Sequence, residues 1–106
     1  MTEVTVVGRA VAKPGKRDQV ERLLRAVISP THEEEGSLHY SMHQGIDDPD
    51  TFVAVERWTS AEALEQHLAT PHLQHLAEQI GDLLAQPLDI STFSQLHEGG
   101  SDKGVL

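Results

Sequence analysis

Cysteine is absent from the 106 residues. That excludes disulfides, thiolate metal sites and a cysteine nucleophile. Aromatic residues are scarce, with one Trp, one Tyr and two Phe, so a core must rest on Leu, Val, Ile and Ala. A single domain of this size buries roughly two-thirds of its unfolded surface, enough for one core and little spare cavity. Positive charge is also thin: 8 Lys+Arg against 17 Asp+Glu leave a formal charge of −9. With no basic stripe, neither nucleic acid nor an anionic membrane surface is an expected partner. No apolar run approaches the roughly 20 residues of a membrane-spanning helix, and Met1-Thr2-Glu3 does not open a signal peptide, so the expected location is the cytoplasm. GxSxG, Walker and GxGxxG patterns are missing, which leaves hydrolase, NTPase and dinucleotide chemistry without support.

What is present is a regular alternation of patterns. Residues 3–12 are β-branched and uncapped, and predict a strand. Lys13-Pro14-Gly15-Lys16 marks a turn. Residues 17–29 predict a helix with Val20, Leu23, Leu24, Val27 and Ile28 on one face; Pro30 is placed to bend or end it. Thr31-His32-Glu33-Glu34-Glu35-Gly36 follows, its acidic run read as solvated surface and Gly36 as a C-cap. Residues 37–44 alternate, placing Leu38, Tyr40 and Met42 on one face and His39, Ser41 and His43 on the other. A polar turn joins them to a second strand at 51–58, predicting a hairpin.

The stretch after that hairpin is the most informative. Thr59 or Ser60 caps a helix carrying Leu64, His67 and Leu68 on one face. Thr70-Pro71 ends it and starts another, with Thr70 as N-cap and Pro71 at the first helical position. A last strand is expected over 88–96. Residues 1–97 then make one domain and 98–106 a flexible tail. The order β-α-β-β-α-β is that of an α+β, ferredoxin-like, four-stranded antiparallel sheet with its helices on one face. Apolar residues at both parities of the strands (Phe52 and Ala54, Val53 and Val55) imply that the bare face is covered as well, most economically by a second copy.

Several residues invite chemistry. His67 lies between Leu64 and Leu68, suited either to packing or, with an ordinary pKa near 6.5, to general-base work. His72 can cap its helix or reach a pocket mouth, while His75 points to solvent. Their i, i+3 spacing lacks a matching carboxylate, so no metal site is expected. Glu56 shares a strand face with Phe52, Ala54 and Trp58, and a buried carboxylate there needs a His or Arg partner or a wet pocket. Tyr40 offers a ring with a hydroxyl able to hydrogen-bond a phenol or quinone oxygen. Trp58, Phe52 and Met42 are candidates for cavity wall or core.

Taken in order, Lys13-Pro14-Gly15, Glu34-Glu35-Gly36 with Leu38 and Tyr40, Phe52, Glu56-x-Trp58, and Ala63-Leu64-Glu65-x-His67-Leu68-x-Thr70-Pro71-His72 resemble the antibiotic biosynthesis monooxygenase domain family. Within it, the chain is most similar to the small cofactor-free quinol monooxygenases. The resemblance implies a dimeric α+β barrel with a pocket in each subunit between sheet and helices. The positions used by the haem-degrading branch align with Gly8, His67 and a region containing Ala77, which argues against haem. It also implies a cofactor-independent oxidation of a small quinol or hydroxylated polyaromatic by O2. In that reading His67 is the base, Tyr40, Glu56 and His72 orient oxygens, and Trp58, Phe52 and Met42 shape the pocket. Two alternatives share the pocket: an isomerase of a small phosphorylated diketone, using Arg9, Lys13 and Arg57, and a non-catalytic small-molecule binder.

Overall fold

The computed structural model describes residues 2–106. Strands β1 (Val4–Val11), β2 (Ser37–Gln44), β3 (Thr51–Trp58) and β4 (Asp89–Phe93) form one sheet in the order β2-β3-β1-β4. Every neighbouring pair is antiparallel. With helices between β1 and β2 and between β3 and β4, the chain has the ferredoxin-like α+β fold that its patterns predict. The central register pairs Val6 with Glu56, Gly8 with Ala54 and Ala10 with Phe52. These side chains lie on the face beneath the helices, where Val6, Ala10, Phe52 and Trp58 join Val20, Leu24, Leu76 and Ile80 in the core.

Each helical crossover is broken in two. The first begins as α1 (Arg17–Ala26), which buries Val20 and Leu24, and continues as α2 (Ile28–His32). The helix expected over 17–29 stops at Ala26 because Pro30 lacks an N–H and its ring would strike the carbonyl four residues back. The second comprises α3 (Ala61–Leu68) and α4 (Pro71–Ile80), followed by a 3₁₀ turn at Gly81–Leu83. Ser60 caps α3, its hydroxyl accepting from Ala63 N–H at 3.1 Å. One further turn of helix, α5, covers Ser101–Gly104.

Three local expectations are corrected. Gly36 is not a left-handed C-cap, since positive φ occurs among the described glycines at Gly15 and Gly99. It is small because the turn presses on α3: a Cβ there would lie 2.5 Å from Ala63 Cβ, while Thr59 N–H donates to Gly36 O at 3.0 Å. Leu38 does not share a buried face with Tyr40 and Met42. The β2–β3 register shifts between Ser37 and His39, and this irregularity leaves Leu38 41% exposed. The last strand is also shorter than residues 88–96. Asp89 and Phe93, which bound it, are both exposed at the sheet edge.

Helices α1 to α4 cover one sheet face; on the other, Arg57 donates to Leu106 O at 3.2 Å, beside the end of the chain. Val7 and Phe93 lie on that other face, 36% and 52% exposed. Among the described residues no helix is long and apolar enough to cross a membrane.

Candidate active site

Between the sheet and the helices lies a cavity of about 50 Å³, within about 490 Å³ of non-atom space once its open mouth is included. The sheet contributes Val6, Gly8, Ala10, Tyr40, Met42, Phe52, Ala54 and Glu56, and the helices contribute Leu24, Leu64, His67, Leu68, Leu73 and Leu76. Leu88 and Ile90 complete the lining. The small residues Gly8, Ala10 and Ala54 make the space in a chain with so little surplus volume. Its largely apolar lining with a few polar groups suits a small, largely apolar ligand.

His67 is the best-anchored of those polar groups. Its residue is 1% exposed, and its ring lies 4.4 Å (centroid to centroid) from Trp58 and 5.7 Å from Tyr40. Nδ1 donates to Glu34 Oε2 at 2.8 Å, and His72 Nε2 donates to the same oxygen at 2.8 Å. Local structure brings these three together. Thr70 donates its hydroxyl to His67 O at 2.7 Å, caps α4 by accepting from Leu73 N–H, and hands over to Pro71. The ends of α3 and α4, with His67 and His72, are thereby joined, and the close packing of Gly36 on Ala63 brings in Glu34. Burial lowers the His67 pKa, and the Glu34 carboxylate opposes that shift. The neutral ring keeps its proton on Nδ1 towards Glu34, leaving the Nε2 lone pair unprotonated in a ring that lines the cavity.

Glu56 lies on the sheet side, 6% exposed. The expected His or Arg partner is replaced by Trp58, whose Nε1–H donates to Glu56 Oε1 at 2.9 Å. Burial pushes the carboxyl up to about 7; the Trp58 hydrogen bond holds it back in part, and the Glu34 charge adds to the rise. Tyr40 is likewise held protonated, by burial first and then by the charges of Glu56 and Glu34.

Of the residues singled out from sequence, His67, Tyr40, Glu56, Phe52 and Met42 line the cavity together. Trp58 and His72 do not. Trp58 is 0% exposed in the core and packs against His67 with the ring planes tilted by 38°, and His72 meets Glu34 instead. His75 is exposed. Arg9, Lys13 and Arg57 are not in the lining; Arg57 pairs with Glu3 at 2.6 Å. Glu34 is the residue that sequence reasoning missed, because it sits in an acidic run. The small Gly36 two positions on was the available signal that this turn packs inward.

The sequence profile named Antibiotic biosynthesis monooxygenase matches residues 3–79. The chain belongs to that family. Among its relatives, Rv0793 of Mycobacterium tuberculosis is 32% identical over 98 residues, covering 92% of this chain and 96% of its own. The Rv0793 structure superposes with a TM-score of 0.87 over 93% of this chain and 100% of that one. PA3566 of Pseudomonas aeruginosa is 33% identical, with a TM-score of 0.86 over 92% of this chain and 97% of its own. YgiN of Escherichia coli, named as a probable quinol monooxygenase, is 30% identical and aligns over 82% of this chain and 94% of its own. The fold of this chain is thus shared at close to full length with Rv0793 and PA3566.

Proposed function

We propose that this chain is a cofactor-independent monooxygenase that oxidises a small quinol or hydroxylated polyaromatic with O2. The observation that carries the reading is the placement of His67: a buried imidazole in the wall of an apolar cavity, its Nδ1–H engaged by Glu34. Family membership and the name of YgiN support the reaction class. Triplet O2 reacts slowly with closed-shell organic molecules, but the anion of a quinol or anthrone is a competent one-electron donor. His67 Nε2 takes the substrate proton, and the anion passes an electron to O2 held beside it. The two radicals combine to a peroxide. The His67 imidazolium then returns its proton to the outer peroxide oxygen. The oxygenated carbon loses its remaining hydrogen as a proton, its C–H pair forms C=O as the O–O bond breaks, and the departing hydroxide takes that proton to leave as water. Both hydrogens of that water come from the substrate, so no outside reductant is needed. Glu56, neutral below about pH 7, and Tyr40 donate hydrogen bonds to the substrate oxygens, with Phe52 and Met42 packing its ring.

The reading places the site in residues 1–97, with the 98–106 tail outside it, in a cytoplasmic homodimer. The exposed Val7 and Phe93 on the sheet face opposite α1 to α4 support the dimer, and a monomer mass by light scattering at micromolar concentration would contradict it. The function is tested by oxygen uptake of EDTA-treated protein with freshly reduced quinols and an anthrone. Uptake well above the uncatalysed rate is expected. Tight binding of these compounds with no uptake would instead establish a binding module.

A further inference from the structure

Glu34 Oε2 receives two imidazoles at 2.8 Å each, from His67 and from His72. We propose that Glu34, His67 and His72 form a site for a zinc-class divalent cation, and that its occupation turns the cavity base off. The three residues come from the turn before β2, the end of α3 and the first turn of α4, and their ligand atoms all lie within 4.8 Å of one another. A tetrahedral ion with bonds of about 2.0–2.2 Å spaces its ligands by about 3.3–3.6 Å. The two N···O separations of 2.8 Å would open by about 0.5–0.8 Å and the two nitrogens, within 4.8 Å of each other, would settle at about the same spacing, with water at the fourth position. Two imidazoles and one carboxylate suit zinc, cobalt, nickel or ferrous iron, whereas calcium and magnesium favour oxygen throughout.

The ligands are held before any ion arrives. Trp58 packs against the His67 ring, the Thr70 hydroxyl donates to His67 O, and Gly36 seats the turn carrying Glu34 against Ala63. Side-chain exposures of 16% for Glu34, 2% for His67 and 21% for His72 describe a walled site with access from the His72 side. The other histidine cluster contrasts with it. His39 and His43 flank Ser41 Oγ at 2.9 and 2.8 Å, and no carboxylate is bonded to either.

The switch follows from the two nitrogens of one ring. Without an ion, His67 carries its proton on Nδ1 and its lone pair on Nε2. An ion on Nδ1 takes the lone pair there, so the neutral ring holds its single proton on Nε2, the nitrogen assigned as the base. A proton donor replaces the base. This consequence rests on the assignment of His67 as base; the metal site does not.

The test is a titration of EDTA-treated, full-length protein with Co2+, followed by its visible d–d bands, with Zn2+ affinity measured by competition. One ion per chain is expected, with affinity falling about tenfold or more in His72→Ala and in Glu34→Gln, and unchanged in His43→Ala. Absence of the bands, equal affinity in His72→Ala, or loss in His43→Ala would overturn the site. Zinc is further expected to suppress oxygen uptake in step with occupancy. Full turnover by zinc-loaded protein would overturn the switch and the role of His67 as base. Cobalt bands lost in His72→Ala, in a protein that oxidises none of the substrates, would support the site and refute the proposed function.

Discussion

The buried carboxyl of Glu56 ties stability to pH in a way that one substitution isolates. Glu56→Gln keeps the shape and an oxygen able to accept from Trp58 Nε1–H, while removing the charge. In the folded chain the carboxyl titrates at about 7, against 4.5 for an ordinary glutamate. Below pH 4.5 it is neutral in both folded and unfolded states and has no effect on the balance. As pH rises from there to about 7, the unfolded chain ionises while the folded chain keeps its proton, so stability falls. Above that the loss is constant, at about 3 kcal/mol from roughly 1.4 kcal/mol per pH unit. The variant has no such term. Urea unfolding followed by fluorescence of the single Trp should show nearly equal stabilities at about pH 4.5, and the variant more stable by up to about 3 kcal/mol at about pH 8.5. The same difference at both pH values, or a variant less stable at the higher one, would refute the account of Glu56.

Three other substitutions test the scaffold around His67. Glu34→Gln removes the carboxylate that selects the Nδ1–H tautomer. As a positioning residue, its loss should lower kcat about tenfold or more with KM little changed, and a change confined to KM would contradict the role. Gly36→Ala sets a methyl group 2.5 Å from Ala63 Cβ and should cost about 1–3 kcal/mol. Adding Ala63→Gly should recover part of that cost, and thermal unfolding of the single and double variants measures both. Thr70→Ala removes the α4 cap and the bond to His67 O, for a loss of about 1 kcal/mol. An unchanged Tm would show that the cap contributes nothing.

Much of this was legible along the chain. Strand parity and helical periodicity gave the ferredoxin-like order, and Ser60, Thr70 and Pro71 occupy the cap positions expected of them. The cavity-facing set His67, Tyr40, Glu56, Phe52 and Met42 follows from the same periodicities, because alternate strand residues and one helix face must meet across a single core. Long-range partners were not legible. Glu34 is 33 residues from His67, and its neighbours Glu33 and Glu35 are exposed, so an acidic run conceals one inward carboxylate. Glu56 meets Trp58 rather than a cation, since two residues on one strand face are already adjacent. The misplaced Leu38 reflects a register irregularity that alternation cannot foresee.

The central claim, that His67 removes a substrate proton, is tested most directly without oxygen. An anthrone or quinol is mixed anaerobically with EDTA-treated protein, and its absorption is followed for the red-shifted band of the anion. The wild-type protein should generate that band on binding. His67→Ala, still folded and still binding, should leave the substrate neutral and lose about a hundredfold or more in aerobic turnover. An anion band of equal strength in both proteins, or in neither, would contradict the assignment of the base.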